Sequence, residues 1–241
     1  MAKMIVTIHQ PEFMPYLGFF HKMFLADRMV LLDTVQFKKN NFQNRNRIQI
    51  SGQPNWLSLP LEKAPLATLI KDIKINKTVF KPEKQLKTIA QNYGKHPFFS
   101  DLFPMLEKLY NENLLFLSEF NSEFIVMMAA KLGIKTETVL SSALGLNGKT
   151  KGGTEVTLEI AEFLNAKIYL SGSGGKTYLR TGDFEEKGIK VYFQEYKHPE
   201  YRQMNAKSFF PYLSVIDLYF NHGPESLSYI LKDNIQKIND L

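Results

Sequence analysis

Short β-rich apolar runs alternate with longer amphipathic stretches along this chain, and that alternation constrains its fold more than any other feature. Met4–Ile8 is one such run. Phe20, Met23 and Phe24 then recur at helical spacing within Gly18–Arg28, and Met29–Leu32 is a second apolar run that ends at Asp33. Strand, helix and strand of these lengths make a βαβ unit, whose two strands lie parallel. Val139–Leu140, Lys167–Leu170 and Ile189–Gln194, with a helix over Thr154–Leu164, extend the pattern. The expected fold is therefore α/β, a largely parallel sheet of about five strands with flanking helices. Arg47–Ile50, Trp56–Leu59 and Leu69–Ile75 read as further strands, separated by turn signals at Ser51-Gly52 and Gln53-Pro54, in a small antiparallel element. Helices are expected over Pro82–Asn92, Phe98–Tyr110 and Leu114–Leu132, the last closed by Gly133, and over Leu213–Phe220 and Pro224–Ile238. The helical middle suggests a division into an α/β core, residues 1–79 and 133–241, and an inserted helical subdomain, residues 80–132.

Composition removes several kinds of chemistry. Without cysteine there is no disulfide framework, thiolate metal site or cysteine nucleophile. The five histidines, His9, His21, His96, His198 and His222, never stand three or four apart, so a local zinc motif is absent and no metal site is expected. Met4–Ile8 is too short for a secretory core, and Leu114–Leu132 carries Glu119, Glu123 and Lys131, so a cytoplasmic protein without a membrane span is expected. The net charge is +6, and no acid interrupts Thr34–Leu61, which holds Lys38, Lys39, Arg45 and Arg47. Amides, guanidinium groups and aromatic rings in that segment suit an anionic ligand. Nucleic acid ranks lower, because +6 over 241 residues is modest for a dedicated nucleic-acid binder.

Open parallel sheets bind ligands beyond the carboxyl ends of their strands. The residues there are His9 and Gln10, Asp33, Ser141 and Ser142, the loop from Ser171 and Gly172 to Gly175, and Glu195. His9 is the candidate general base, since imidazole titrates near neutrality. Asp33 is the second catalytic candidate. Lys22, Lys38 and Arg45 are candidates for holding phosphate or carboxylate, Asp33, Gln36 and Asn44 for orienting hydroxyls, Gln10 for binding substrate, and Ser171 and Gly172 for backbone donation to an anion. Two Gly-Lys-Thr triplets fail the phosphate-loop spacing: Leu170 lies five residues before Gly175, and Ala143 five before Gly148.

Several segments together resemble the WbqC-like family. They are His9-Gln10-Pro11, Pro15-Tyr16-Leu17-Gly18-Phe19-Phe20-His21-Lys22, Ala26-Asp27, Leu32-Asp33-Thr34-Val35-Gln36-Phe37-Lys38, Phe42-Gln43-Asn44-Arg45-Asn46, Tyr169-Leu170-Ser171-Gly172, His198-Pro199-Glu200-Tyr201 and Leu213-Ser214-Val215-Ile216-Asp217. Tyr16 stands where that pattern has Trp, and Tyr212 where it has Asn. The resemblance implies a bacterial protein of O-antigen or other surface-polysaccharide biosynthesis, with acyl or aminoacyl transfer to an amino sugar as its activity. It supplies no catalytic residues. The expected partner is an anionic small molecule, a nucleotide-activated sugar, acted on by a transferase. The cofactor is left open between a nucleotide sugar and an acyl donor, and Mg²⁺ held by one or two carboxylates would leave no motif. The alternatives are a nucleotidyltransferase of the HIGH-motif type, although Phe19 rather than His follows Gly18, and a non-catalytic carbohydrate- or RNA-binding protein.

Overall fold

The computed structural model describes residues 3–146 and 153–234. Its centre is a five-stranded, all-parallel sheet built from β1 (Ile5–His9), β2 (Arg28–Leu31), β5 (Glu137–Leu140), β6 (Ile168–Ser171) and β7 (Lys190–Phe193). The order across the sheet is β5-β2-β1-β6-β7. The chain thus starts in the middle, winds outward to β5, and returns past β1 to build the other half. The direction of winding reverses between β1 and β6, and a crevice opens at the carboxyl ends of such a pair.

Residue alternation assigns the two faces of the sheet. Met29 and Leu31 join a core with Phe20 and Met23 of α1 (Leu17–Phe24), Ile125 and Met128 of α4 (Leu117–Leu132), and Ile216 and Phe220 of α7 (Val215–His222). Val6, Ile8, Val30, Leu32 and Tyr169 face the other way, onto Ile160, Ala161 and Leu164 at α5 (Gly153–Phe163) and Phe184 of α6 (Thr181–Glu185). Tyr169 and Phe184 stack with ring centroids 5.1 Å apart.

Between β2 and β5 lie the antiparallel hairpin β3 (Arg45–Ile50) and β4 (Gln53–Ser58), then α2 (Pro82–Tyr93), α3 (Phe99–Asn111) and α4. Ser51 and Gly52, both at positive φ, make the hairpin turn. Leu86, Leu106 and Phe124 of these helices share one core cluster with Phe19 of α1 and Leu218 of α7, so the helical segment packs directly on the α/β half. Helix α4 ends as its sequence suggests, with Gly133 left-handed at φ 75°.

Leu69–Ile75 is not a strand. Isolated bridges Gln36↔Leu69 and Leu61↔Ile75 flank a single 3₁₀ turn at Ile70–Asp72. The last helix is shorter than its periodicity suggests, α8 covering Ser226–Leu231 after a 3₁₀ turn at Gly223–Glu225, while its expected end at Ile238 lies outside the described residues, as does Gly148-Lys149-Thr150. Among the described residues no helix is long and apolar enough to cross a membrane.

Candidate active site

His9 closes β1, and Leu32 N donates to its carbonyl at 2.7 Å, carrying the β1–β2 pairing to the last residue. The loop that follows is braced from two sides. Asn121 of α4 donates to the carbonyls of Pro11 (3.0 Å) and Gln43 (2.8 Å). Gln43 Nε2 donates to Gln10 Oε1 at 2.5 Å, and Asn46 Nδ2 donates to Met14 O at 2.7 Å. That last bond holds Met14 at φ 44°, a conformation unusual for a non-glycine residue. Two amides of the basic segment, Gln43 and Asn46, are thus committed to fixing this loop.

The braced loop gathers His9, Glu12 and Lys22. Both His9 and Glu12 line a cavity of about 390 Å³ with Tyr16, Phe42, Arg47 and Tyr212, and a smaller one of about 190 Å³ reaching Thr157, Tyr169 and Tyr178. Lys22 lies behind them. It is 2% exposed, and its Nζ donates to Ile8 O at 3.2 Å. The ammonium sits 3.8 Å from where a Cβ would stand on Gly172, an ordinary contact distance, so the end of β6 lies beside it. His9 Nδ1 is 3.2 Å from Gln10 O. A carbonyl only accepts, so the proton is on Nδ1 and Nε2 keeps its lone pair.

Desolvation by burial tunes all three groups. It pushes Glu12 up to about 7 against the opposing pull of Lys22, and pushes Lys22 down to about 7 against the opposing pull of Glu12. The His9 imidazole is held well below its ordinary value, first by burial and then by Lys22. A neutral base and a carboxyl poised near neutrality thus share one cleft, the arrangement general acid–base chemistry requires.

The other sequence candidates divide into two groups. Gln10 lines the smaller cavity and Gly172 lies beside Lys22; Ser171 is buried at the end of β6, its hydroxyl in contact with Gly172 O at 3.2 Å. Asp33 does not face the cavities. Its carboxylate accepts from Ser141 Oγ (2.8 Å), Ser142 N (2.9 Å) and Ser142 Oγ (2.7 Å), clamping the ends of β2 and β5 together. Gln36 donates to Leu66 O and Asn44 to Leu59 O, both backbone carbonyls. Lys38 is exposed, and Arg45 lies over the Trp56 ring at 4.4 Å. Glu195, beyond β7, pairs with Lys176 at 3.5 Å.

Glu12 is the member that the sequence reading misses outright; Arg47 figures there only within the basic segment, and Tyr16 and Tyr212 only as departures from the family pattern. For Glu12 the signal was there: it is the one acid in the loop between Pro11 and Pro15. Tyr212 is placed by strain and by His198 together. It sits at φ 60° and donates its N–H to His198 Nε2 at 3.1 Å, while His198 Nδ1 donates to Pro199 O at 2.9 Å. Tyr16 packs its ring across the start of α1, so closely that a Cβ on Gly18 would come within 2.5 Å of it. His21 is a structural histidine: Nε2 donates to Asn234 O (2.6 Å), and Nδ1 accepts from Gln194 Nε2 (2.8 Å). Among the described residues no group of three or more His, Asp or Glu side chains is arranged to hold a metal ion.

No solved structure matches the chain. An uncharacterized protein, Rv1507c, of Mycobacterium tuberculosis is 27% identical over 228 residues, which covers 93% of this chain and 96% of that protein. The model of the WbqC-like protein family matches residues 10–229, from the residue after His9 to α8, and so takes in the braced loop, the hairpin and both halves of the sheet. The chain belongs to the WbqC-like protein family.

Proposed function

We propose that the protein is a transferase that uses the cleft at the end of β1 to move an acyl or aminoacyl group onto a nucleotide-activated amino sugar, in surface-polysaccharide biosynthesis. One observation carries this reading: His9, held well below its ordinary pKa by burial, and Glu12, raised by burial to about 7, line the same cavities at the point where the sheet reverses its winding. The family resemblance supplies the polysaccharide context.

The chemistry follows from the two protonation states. The sugar amine or hydroxyl attacks the carbonyl carbon of the activated donor, and His9 Nε2 takes the proton it sheds as the new C–N or C–O bond forms. The bond to the leaving group then breaks, and the protonated Glu12 carboxyl gives that group its proton. Proton return from the imidazolium to Glu12 closes the cycle. Lys22, held beside both, stabilises negative charge on the reacting carbonyl oxygen in a site where water does not screen it. Asp33 acts as a positioning residue, through the β2–β5 clamp. Arg47 offers its guanidinium to the anionic part of the substrate.

The test is to incubate the protein with nucleotide-activated amino sugars and acyl or aminoacyl donors and follow the mass of the sugar. Transfer is expected, and loss of His9 is expected to remove it. Pyrophosphate release from ATP or CTP without transfer would favour the nucleotidyltransferase alternative. The Tyr16 ring over Gly18 counts against that alternative, because it covers the helix start where such an enzyme would seat phosphate. Ligand binding with no turnover, unaffected by His9 replacement, would leave a carbohydrate- or RNA-binding protein.

A further inference from the structure

The β3–β4 hairpin holds an aromatic and cationic face that the acid–base chemistry does not use. Arg47 pairs across the hairpin with Trp56, and Arg45, two residues earlier on the same strand, projects to the same side. The Arg45 and Arg47 guanidinium carbons lie 4.4 and 5.9 Å from the Trp56 ring centroid. The Phe42 ring is 5.9 Å from that of Trp56. Trp56 and Phe42 are nevertheless 47% and 39% exposed, large rings left partly uncovered.

Two further features point to a ligand. The Nε atoms of Arg45 and Arg47 are shut off from solvent and have no acceptor. Among the described residues neither guanidinium makes an ion pair, and their own segment, Thr34–Leu61, contains no acid that could supply one. Arg45 is steadied by one terminal N–H donated to Asn40 O at 2.6 Å, and guanidinium groups stacked on an aromatic ring and left without a carboxylate suit an incoming oxyanion, whose oxygens match their remaining donors. Continuity with the cleft fixes the direction. Phe42 and Arg47 line the same cavity as His9 and Glu12, whereas Trp56 and Arg45 extend outward from it.

We infer that this face is the nucleotide subsite: the diphosphate of a nucleoside-diphosphate-linked substrate lies on Arg47 and Arg45, and its base stacks on the uncovered surface of Trp56 and Phe42. The sugar is thereby directed inward to His9. The inference rests on the reading of the substrate as nucleotide-linked, and it adds where each part of that substrate lies. Base stacking on aromatic rings tolerates any base, so the platform selects for a ring and a diphosphate and leaves base identity to other contacts.

Trp56 is the one tryptophan in the chain, so its emission reports on this face alone. The experiment titrates the full-length protein with UDP, ADP and GDP, and with inorganic pyrophosphate as the probe that lacks a ring, following fluorescence and calorimetry. Saturable change in Trp56 emission is expected with the nucleoside diphosphates, and pyrophosphate should bind at least about tenfold more weakly, as lost stacking dictates. Arg47→Ala should weaken UDP binding roughly tenfold, the effect of one charged hydrogen bond. By calorimetry Trp56→Phe should bind within about threefold of the parent, whereas Trp56→Ala should lose about tenfold; retained binding in the ring-conserving variant separates stacking from damage to the hairpin.

Pyrophosphate binding as tight as that of UDP would overturn the proposal. So would unchanged binding in Trp56→Ala, or absence of any nucleoside diphosphate binding at millimolar concentration. A short single-stranded RNA that binds far more tightly than UDP, with affinity falling steeply in salt, would replace the subsite with an RNA surface. None of these readouts depends on turnover. An inactive protein that still binds UDP through Trp56 removes the transferase chemistry and leaves the subsite standing.

Discussion

Asp217 and Glu12 are both carboxylates kept largely from water, and the protein treats them in opposite ways. Asp217 of α7 is fully buried and fully answered: Tyr93 and Tyr201 donate their hydroxyls to it at 2.9 Å each, and Gln203 Nε2 donates at 3.1 Å. Burial still raises it, to about 6, but the three donors favour its ionised form and limit the rise. Tyr93 comes from α2 and in turn accepts from Gln49 N at 2.7 Å, so this hub ties the helical segment, the hairpin and α7 together. Glu12 has no such partners. Among the described residues its carboxylate receives no protein hydrogen bond, it faces a cleft, and its cation Lys22 lies behind it, nearly stripped of water. Burial with every bond made fastens elements together; burial with bonds left open holds reactivity for something that arrives later.

That contrast can be broken most forcibly at His9. Replacement by alanine should cost about 10²–10⁴ in transfer rate, the usual contribution of a general base, with little change in the unfolding midpoint. A rate within threefold of the parent would end its assignment as base. At the other pole, Asp217→Ala should cost about 3–5 kcal/mol in chemical denaturation, because two tyrosine hydroxyls and an amide lose their acceptor in a dry interior. Loss of under about 1 kcal/mol would mean that the hub is not the fastening described.

Much of this organisation was legible in the sequence. The βαβ unit through Asp33 and the strands at β6 and β7 announce themselves by short apolar runs with turn chemistry at their ends, and strand ends place His9 in the crevice. Leu69–Ile75 misled because its buried residues, Ile70, Ile73 and Ile75, do face the core, yet they do so from a 3₁₀ turn with single bridges. The α6 helix escaped notice because Phe184 is its one buried apolar residue. Glu12 stood out in the sequence as a lone acid between two prolines, but its environment did not: the groups around it come from far along the chain, from the Asn41–Gln43 segment, α5, β6 and Tyr178. Asparagine and glutamine were ambiguous in the same way, since Gln43, Asn46 and Asn121 brace a loop with the groups that could equally bind a sugar.

Lys22→Met sharpens the comparison more gently. The folded state binds the Lys22 proton less readily than the unfolded chain, at about 7 against 10.5. On this account the fold gains stability as pH rises through that window, by up to about 1.4 kcal/mol per pH unit, and is penalised below it. The methionine variant should therefore be the more stable protein at pH 6, by about 1–3 kcal/mol, and should lose that part of the pH slope while losing activity. Equal slopes in the two proteins would show that Lys22 is not desolvated. The smallest effect is expected at Asp33. Asp33→Asn keeps the size but trades an acceptor for a donor in the Ser141–Ser142 clamp, and should cost about 1–2 kcal/mol of stability with a modest loss of rate. A rate loss as large as that of His9→Ala at unchanged stability would restore Asp33 to direct participation.

The most direct test of the cluster needs no substrate. Glutamate side-chain carbons labelled with ¹³C report each carboxyl's titration by NMR, and Glu12→Gln identifies the signal that belongs to Glu12. One carboxyl should titrate near 7, well above the ordinary 4.5, vanish in Glu12→Gln, and move higher still in Lys22→Met, where the opposing cation is gone. A Glu12 signal that titrates near 4.5 and ignores the loss of Lys22 would contradict the account, because the cleft would then hold an ordinary solvated carboxylate with no proton to give.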